Sequence, residues 1–481
     1  MSRRLYGPFN RVEGDLEVQV EIEDGRIKAA WVNSPLFRGF EQILHGHNPR
    51  DALVYTPRIC GICSVSQAVA AASALREAME LEMPDNGRLT TNLVLACENL
   101  ADHLTHFYLF FMPDFAREAY ADHPWQAAIA ERFRAQTGRC AREVLPARAA
   151  FLHLTGILAG KWPHSLSIQP GGSTRPVEPQ ERIRLRQIVG QFRQFLETTL
   201  FGDALESVAA LDSPDALDDW AERHADSDFG RFLQVAGALD LATIGRGPDR
   251  FLSFGAYARA DGHLFARSTW ADGKRGALDP SAIREDVSCS WIRSQNGPRH
   301  PREGATLPAA DKPGAYSWCK APRLNGQVME TGALARQLID DHPLIRALVA
   351  QSGGNVRNRV IARLLELARL VPVMEDWVLA LRPRQPFCLD APVPDEAEGA
   401  GLVEAARGSL GHWLRIRNGR ILNYQIIAPT TWNFSPRDAE GTPGVLEQAL
   451  VGLAVGPDGH DAVAIQHVVR SFDPCMVCTV H

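Results

Sequence analysis

No stretch of the 481 residues approaches the ~20 consecutive apolar residues of a membrane helix, so no membrane span is expected. The start, Met1-Ser2-Arg3-Arg4, is basic, but no apolar run follows it. Neither a signal peptide nor a usable twin-arginine signal is legible, and a cytoplasmic protein is the expectation. A large charge excess is also missing: the net charge of -6 gives no reason to expect nucleic acid as a partner. No internal repeat or low-complexity tract appears, and 45% hydrophobic with 22% charged residues permits a large buried core. Cysteine is scarce, at nine residues, and in a cytosolic chain thiols point to metal or redox chemistry before disulfides. Five of them, Cys97, Cys140, Cys289, Cys319 and Cys388, are scattered and read as small buried apolar residues. They do not form an iron-sulfur cluster motif, so electrons from any redox centre must leave through another polypeptide.

The other four cysteines form two Cys-x-x-Cys pairs at opposite ends, Cys60-Gly61-Ile62-Cys63 and Cys475-Met476-Val477-Cys478. Each pair places two sulfurs within reach of one metal, and soft thiolates select Zn, Fe or Ni over Mg or Ca. Spacing alone puts a structural Cys₄ zinc site first. Two halves of one site at the two ends imply a single interdigitated unit, residues 1–481, whose termini meet in the core.

The alternation of Leu16 to Ile22, then Asp24-Gly25 and Ile27 to Val32, predicts a β-hairpin. The Ala-rich run Ser66 to Glu80 predicts a helix with the first cysteine pair at its N-terminus, where the helix dipole would favour thiolate. Leu93 to Phe111, Ile183 to Leu200 and Val356 to Leu381 also read as helices, the last kinked or broken at Pro372. Asp261 to Lys320 reads as Gly-, Pro- and Ser-rich with short β pieces, and Asp390 to Gly401 as an acidic loop. His412 to Ile427 predicts two strands around Asn418-Gly419. The fold class expected is α+β, a predominantly helical core bundle with small peripheral β-sheets.

Flanking residues change the ranking of metals. Arg58-x-Cys60-Gly61-x-Cys63 together with Asp473-Pro474-Cys475-x-x-Cys478-x-x-His481 resembles the large subunit of nickel-iron hydrogenases, and the similarity extends along essentially the whole chain. The resemblance implies an NiFe(CN)₂(CO) centre on Cys60, Cys63, Cys475 and Cys478. It implies that Arg407, in Glu404-Ala405-Ala406-Arg407-Gly408, projects over the metals to one cyanide, and that Thr430 donates to the other. Glu13, in Arg11-Val12-Glu13-Gly14, would take the proton of split dihydrogen from Cys475, with Asp102 and Asp473 holding the arginine. Glu41, the carbonyl of Ile426 and His481 would bind Mg²⁺ or a similar hard cation. His103 and His106, spaced i, i+3, belong to the surroundings of this centre rather than to a second metal site. Implied partners are dihydrogen, an iron-sulfur small subunit and maturation proteins.

Four departures resemble the regulatory, hydrogen-sensing branch: Gln67 and Asp15 stand where most energy-converting members have His, Ile62 where they have Val, and Phe110 where they have Leu. That branch implies slow turnover, a downstream histidine kinase, and a gas passage narrowed by Ile62 and Phe110. Ala406 stands where most members have Pro, which would loosen the backbone beside the arginine. An energy-converting uptake enzyme and a zinc-stapled structural scaffold are the alternatives.

Overall fold

The computed structural model describes residues 2–455 and 463–479. The chain opens on three antiparallel strands, β1 (Ser2–Tyr6), β2 (Glu17–Glu23) and β3 (Arg26–Asn33), in the order β1-β2-β3. Val18, Val20, Ala30 and Val32 turn one face of this sheet into the core, as the alternation requires. The expected hairpin is therefore present, with a third strand on its edge.

Six helices organise the rest: α1 (Ser64–Ala78), α2 (Asp85–Thr105), α3 (Cys140–Ala159), α4 (Pro179–Phe195), α5 (Val356–Ala380) and α6 (Val463–Ser471). α2 packs on α1, α3 and α5, and α5 also packs on α4 and α6. One continuous apolar core takes in Leu16 at one end of the chain and Cys478 at the other. The helix read from Leu93 to Phe111 starts earlier, at Asp85, and its last turn, His106–Phe111, widens to π geometry. Of the kink or break expected at Pro372, no break occurs: α5 runs through the proline as one helix, with Leu370 and Val371 before it and Met374 after it held in the buried core. Among the described residues no helix is long and apolar enough to cross a membrane.

A second sheet carries the site arginine. Strands β4 (Ala397–Ala405), β5 (Gly408–Arg417) and β6 (Arg420–Ile427) form an antiparallel meander. The β5–β6 turn is Asn418-Gly419, with φ of 51° and 65°, as its dipeptide predicts. The region read as a loop up to Gly401 is instead strand from Ala397 onward. Its glycines, Gly399 and Gly401, lower strand propensity but allow helix α1 to lie directly on the sheet. A Cβ on Gly399 would sit 2.0 Å from the Ala74 carbonyl oxygen, and one on Gly401 1.9 Å from that of Ala70. Gly401→Ala is accordingly expected to cost about 3 kcal/mol, seen as a lower thermal unfolding midpoint. Gly237→Ala, whose Cβ would meet nothing within 4 Å, serves as the neutral control.

Candidate metal centre

The tertiary structure brings Cys60, Cys63, Cys475 and Cys478 together, with their ligand atoms all within 4.8 Å of one another. Cys475 Sγ lies 3.0 Å from Cys478 Sγ and 3.5 Å from Cys60 Sγ, and Cys63 Sγ lies 3.3 Å from Cys478 Sγ. All nine cysteines are free thiols, and all four of this group are buried. It is the only such cluster of three or more potential metal-binding side chains among the described residues. Burial pushes the thiols of Cys475 and Cys478 up, and Cys63 is pushed up chiefly by hydrogen bonding with Cys475 and Cys478. The same neighbours hold Cys60 low. A cation is what allows four crowded thiolates to coexist.

Backbone pairing joins the two arms. Glu13 forms a parallel bridge with Cys475: its N–H donates to the Pro474 carbonyl at 3.4 Å, and its carbonyl accepts from Met476 N–H at 2.6 Å. Gly14 makes the approach possible, since at φ 81° a Cβ there would meet Val477 Cγ1 at 2.9 Å. Arg38 clasps both motifs, donating from Nη2 to the Ile59 carbonyl at 2.6 Å and to that of Val477. The Ile62 N–H points at Cys60 Sγ, 3.3 Å away.

Arg407 occupies the two-residue turn between β4 and β5, closed by the pair Ala405 and Gly408. Its guanidinium is buried between two carboxylates. Nη1 lies 2.8 Å from Asp102 Oδ2, Nη2 donates to Asp102 Oδ1 at 3.1 Å and to Asp473 Oδ1 at 3.2 Å, and Nε donates to the Asp473 carbonyl at 2.8 Å. Burial pushes Asp102 up to about 8 against the pull of Arg407. Burial also opposes ionisation of Asp473, but Arg407 and Arg363 outweigh it and hold that carboxyl low. Although Ala406 lacks proline's rigidity, the turn is pinned from below. Arg336 donates to the carbonyls of Ala405 at 2.9 Å and Ala406 at 3.1 Å while paired with Glu366 and Glu404.

Thr430 Oγ1 accepts from Cys475 N–H at 3.1 Å, which leaves its proton free for another acceptor. Glu13 is half-buried, and burial followed by the Cys60 charge raises its carboxyl. Its side chain makes no hydrogen bond to a cysteine sulfur among the described residues. Ile62 is partly buried against the core, Phe110 sits partly buried on the π turn, and Asp15 is exposed. Gln67 is buried, its Oε1 2.8 Å from His412 Nε2. Burial lowers both His103 and His106, the latter to about 3. They bond to Glu366 at 3.3 Å and to the Arg470 carbonyl at 2.6 Å.

The dipole expectation at Cys63 needs correction. Cys63 is the N-cap of α1, but the carboxylate of Glu98, from α2, occupies that helix end and accepts from the N–H groups of Val65 and Ser66, each at 2.8 Å. The positive end of the helix is therefore already matched. Glu98, Arg336, Arg363 and Lys320 were not singled out from the sequence. Charged residues within an otherwise buried helix, such as Arg363 and Glu366 on α5, were the available signal.

Glu41 is buried, accepts from Ile426 N–H at 2.7 Å, and has its second oxygen, Oε2, without a hydrogen-bond partner. Lys320 Nζ lies 3.4 Å from Glu41 and 2.9 Å from Glu285. The two buried acids share this one ammonium, and burial raises both. The third expected ligand, His481, lies outside the described residues.

The chain matches the model of the nickel-dependent hydrogenase family over residues 38–136 and 142–481. It is 30% identical to the periplasmic [NiFeSe] hydrogenase large subunit of Desulfomicrobium baculatum over 98% of this chain and 94% of that protein. Identity to the hydrogenase-2 large chain of Escherichia coli K12 is 27%, over 100% and 97% of the two chains. The H₂-activated [NiFeSe] hydrogenase of Dm. baculatum superposes with a TM-score of 0.87 at 29% identity, and the reduced Ni-Fe-Se hydrogenase of D. vulgaris Hildenborough with 0.84 at 28%, each over the whole of both chains. The four-thiol cluster, with the buried positive charge of Arg407 close enough to feel Cys475 and Cys63, suits a nickel-iron group rather than the zinc staple that spacing alone favours. The chain belongs to the nickel-dependent hydrogenase family, as a hydrogenase large subunit.

Proposed function

We propose that this hydrogenase is a hydrogen sensor: a slow, oxygen-tolerant large subunit that works in the cytoplasm, passes electrons to an iron-sulfur small subunit and signals to a downstream histidine kinase. The observation carrying this reading is the set Gln67, Asp15, Ile62 and Phe110, of which Ile62 lies between the first two cysteines and Gln67 follows them on the same helix. Nine free thiols suit a reducing compartment. Five cysteines with no shared cluster leave the electrons to a partner. Maturation proteins would load the centre. An uptake hydrogenase large subunit from Rhodobacter capsulatus is 26% identical over the whole of this chain, so energy conversion is the rival, and it differs in rate and in response to air.

When bound, the nickel-iron centre supplies the electrophile that polarises dihydrogen. Around it, Glu13 takes the proton released beside the thiolates, its raised carboxyl being suited to both accepting and returning it. Arg407, held by Asp102 and Asp473, would supply fixed positive charge to the centre's cyanide ligands, and the free hydroxyl proton of Thr430 would be a second donor to them. Glu41, the Ile426 carbonyl and His481 are the residues that would hold Mg²⁺. Ile62 and Phe110 narrow the passage so that dihydrogen enters and dioxygen is retarded.

Hydrogen-dependent dye reduction under nitrogen and in air tests the proposal. The unmutated protein should turn over slowly and equally in both. Ile62→Val with Phe110→Leu should keep the anaerobic rate and lose most of it in air. A double variant that survives prolonged air unchanged would sink the gas-filter reading, and fast turnover in the parent would favour energy conversion.

A further inference from the structure

Among the buried carboxylates that proton handling does not use, Glu98 is the one that touches the first cysteine arm. Its Oε2 accepts from Val65 N–H at 2.8 Å, Trp162 Nε1–H at 3.0 Å and the Ser64 hydroxyl at 3.4 Å. Its Oε1 accepts from Ser66 N–H at 2.8 Å and the Ser66 hydroxyl at 2.9 Å. The residue is 2% exposed. The hydrogens on Val65 N, Ser66 N and Trp162 Nε1 cannot rotate away, and they address both oxygens. An amide in this position would turn its NH₂ against a fixed N–H in either orientation, so the pocket accepts only a group with two acceptor atoms. The ring closes around the arm: Ser64 Oγ accepts from His164 N–H at 3.2 Å, and His164 Nδ1 lies 2.9 Å from the Pro57 carbonyl.

Cys63 caps the same helix end. A helix N-terminus carries roughly half a positive charge, and in a dry interior that charge acts at full strength on a neighbouring sulfur. Left unmatched, it would draw electron density from Cys63. We propose that Glu98 is a positioning residue for the metal centre, whose carboxylate fixes the Cys60–Cys63 arm on α1 and offsets the positive helix end so that Cys63 meets the metals as a full-strength donor. This rests on the nickel-iron reading of the site.

The test uses the assembled, metal-loaded protein carrying Glu98→Gln, Glu98→Asp or Trp162→Phe, read by nickel affinity in chelator competition and by the carbonyl stretch in the infrared. Glu98→Gln is expected to weaken nickel binding about 10–100-fold and to move the carbonyl band to higher wavenumber, since a poorer thiolate donor leaves less density to return to bound CO. Glu98→Asp keeps the charge and should bring the band back toward its original position. Trp162→Phe removes one donor and leaves the carboxylate. It should hold nickel and move the band the other way, because the carboxylate's charge is then less spent. A band unmoved in both Glu98→Gln and Trp162→Phe overturns the proposal, and Trp162→Phe decides alone if Glu98→Gln does not accumulate. A Glu98→Asp band displaced as far as that of Glu98→Gln overturns it equally. Absence of carbonyl and cyanide bands from the unmutated protein would instead sink the nickel-iron reading, so the two failures are distinguishable.

Discussion

Cys475→Ser should leave a folded chain that retains no nickel and shows no hydrogen-dependent dye reduction above background. The substitution changes one atom in a site where Cys475 Sγ lies within 3.5 Å of two other cysteine sulfurs. A serine hydroxyl is not ionised near neutral pH and is a hard donor, so three thiolates remain for a soft dication pair that needs four. Because ligand deprotonation is driven by the metal itself, losing one ligand also makes the remaining buried thiols harder to ionise. Backbone contacts should survive, since the Glu13 to Cys475 bridge and the bond from Cys475 N–H to Thr430 involve no sulfur. Metal analysis per chain and circular dichroism read the two halves of this expectation. One nickel per chain in the serine variant would contradict the four-thiolate centre.

Arg407→Lys should lower hydrogen oxidation by about 10²–10³-fold while keeping most of the nickel. Lysine preserves the charge but lacks the planar fork that meets Asp102 through two nitrogens and Asp473 through Nη2 and Nε. An ammonium satisfies one of these geometries at a time, so the positive charge near the cysteine cluster is no longer held in place. Arg407→Ala goes further, taking from Asp102 its ion-pair partner and leaving Asp473 only the more distant Arg363, at about 3–5 kcal/mol. It should therefore lose stability as well as activity. The lysine variant separates the two effects: a rate unchanged within experimental scatter would remove Arg407 from the reaction, and a collapse in thermal stability would mark it as only structural.

Local patterns were legible where chemistry and periodicity agree. The β2–β3 hairpin, the Asn418-Gly419 turn and the long helices follow from alternation, turn residues and helical spacing, which depend on neighbours in sequence. Strand β4 was hidden because Gly399 and Gly401 read as loop residues, and only the approach of α1 shows why they stand in a strand. Pro372 reads as a break because local rules give it a cost, and the packing around α5 absorbs that cost.

The site divides in the same way. Two Cys-x-x-Cys pairs with their flanking Arg58, Asp473 and Pro474 determine by themselves a thiolate metal centre, since donor type and spacing are properties of a few adjacent residues. The sequence also determines that this chain holds no cysteine motif for an electron relay of its own. Only the tertiary structure decided that α1, α2, the β4–β5 turn and both chain ends converge, and hence which charges are buried there. Arg336 beneath the turn and Glu98 at the helix end are common surface residue types until the fold removes water from them. Burial turns an ordinary carboxylate or guanidinium into a fixed charge with fixed partners, and burial is a property of the whole chain rather than of any segment.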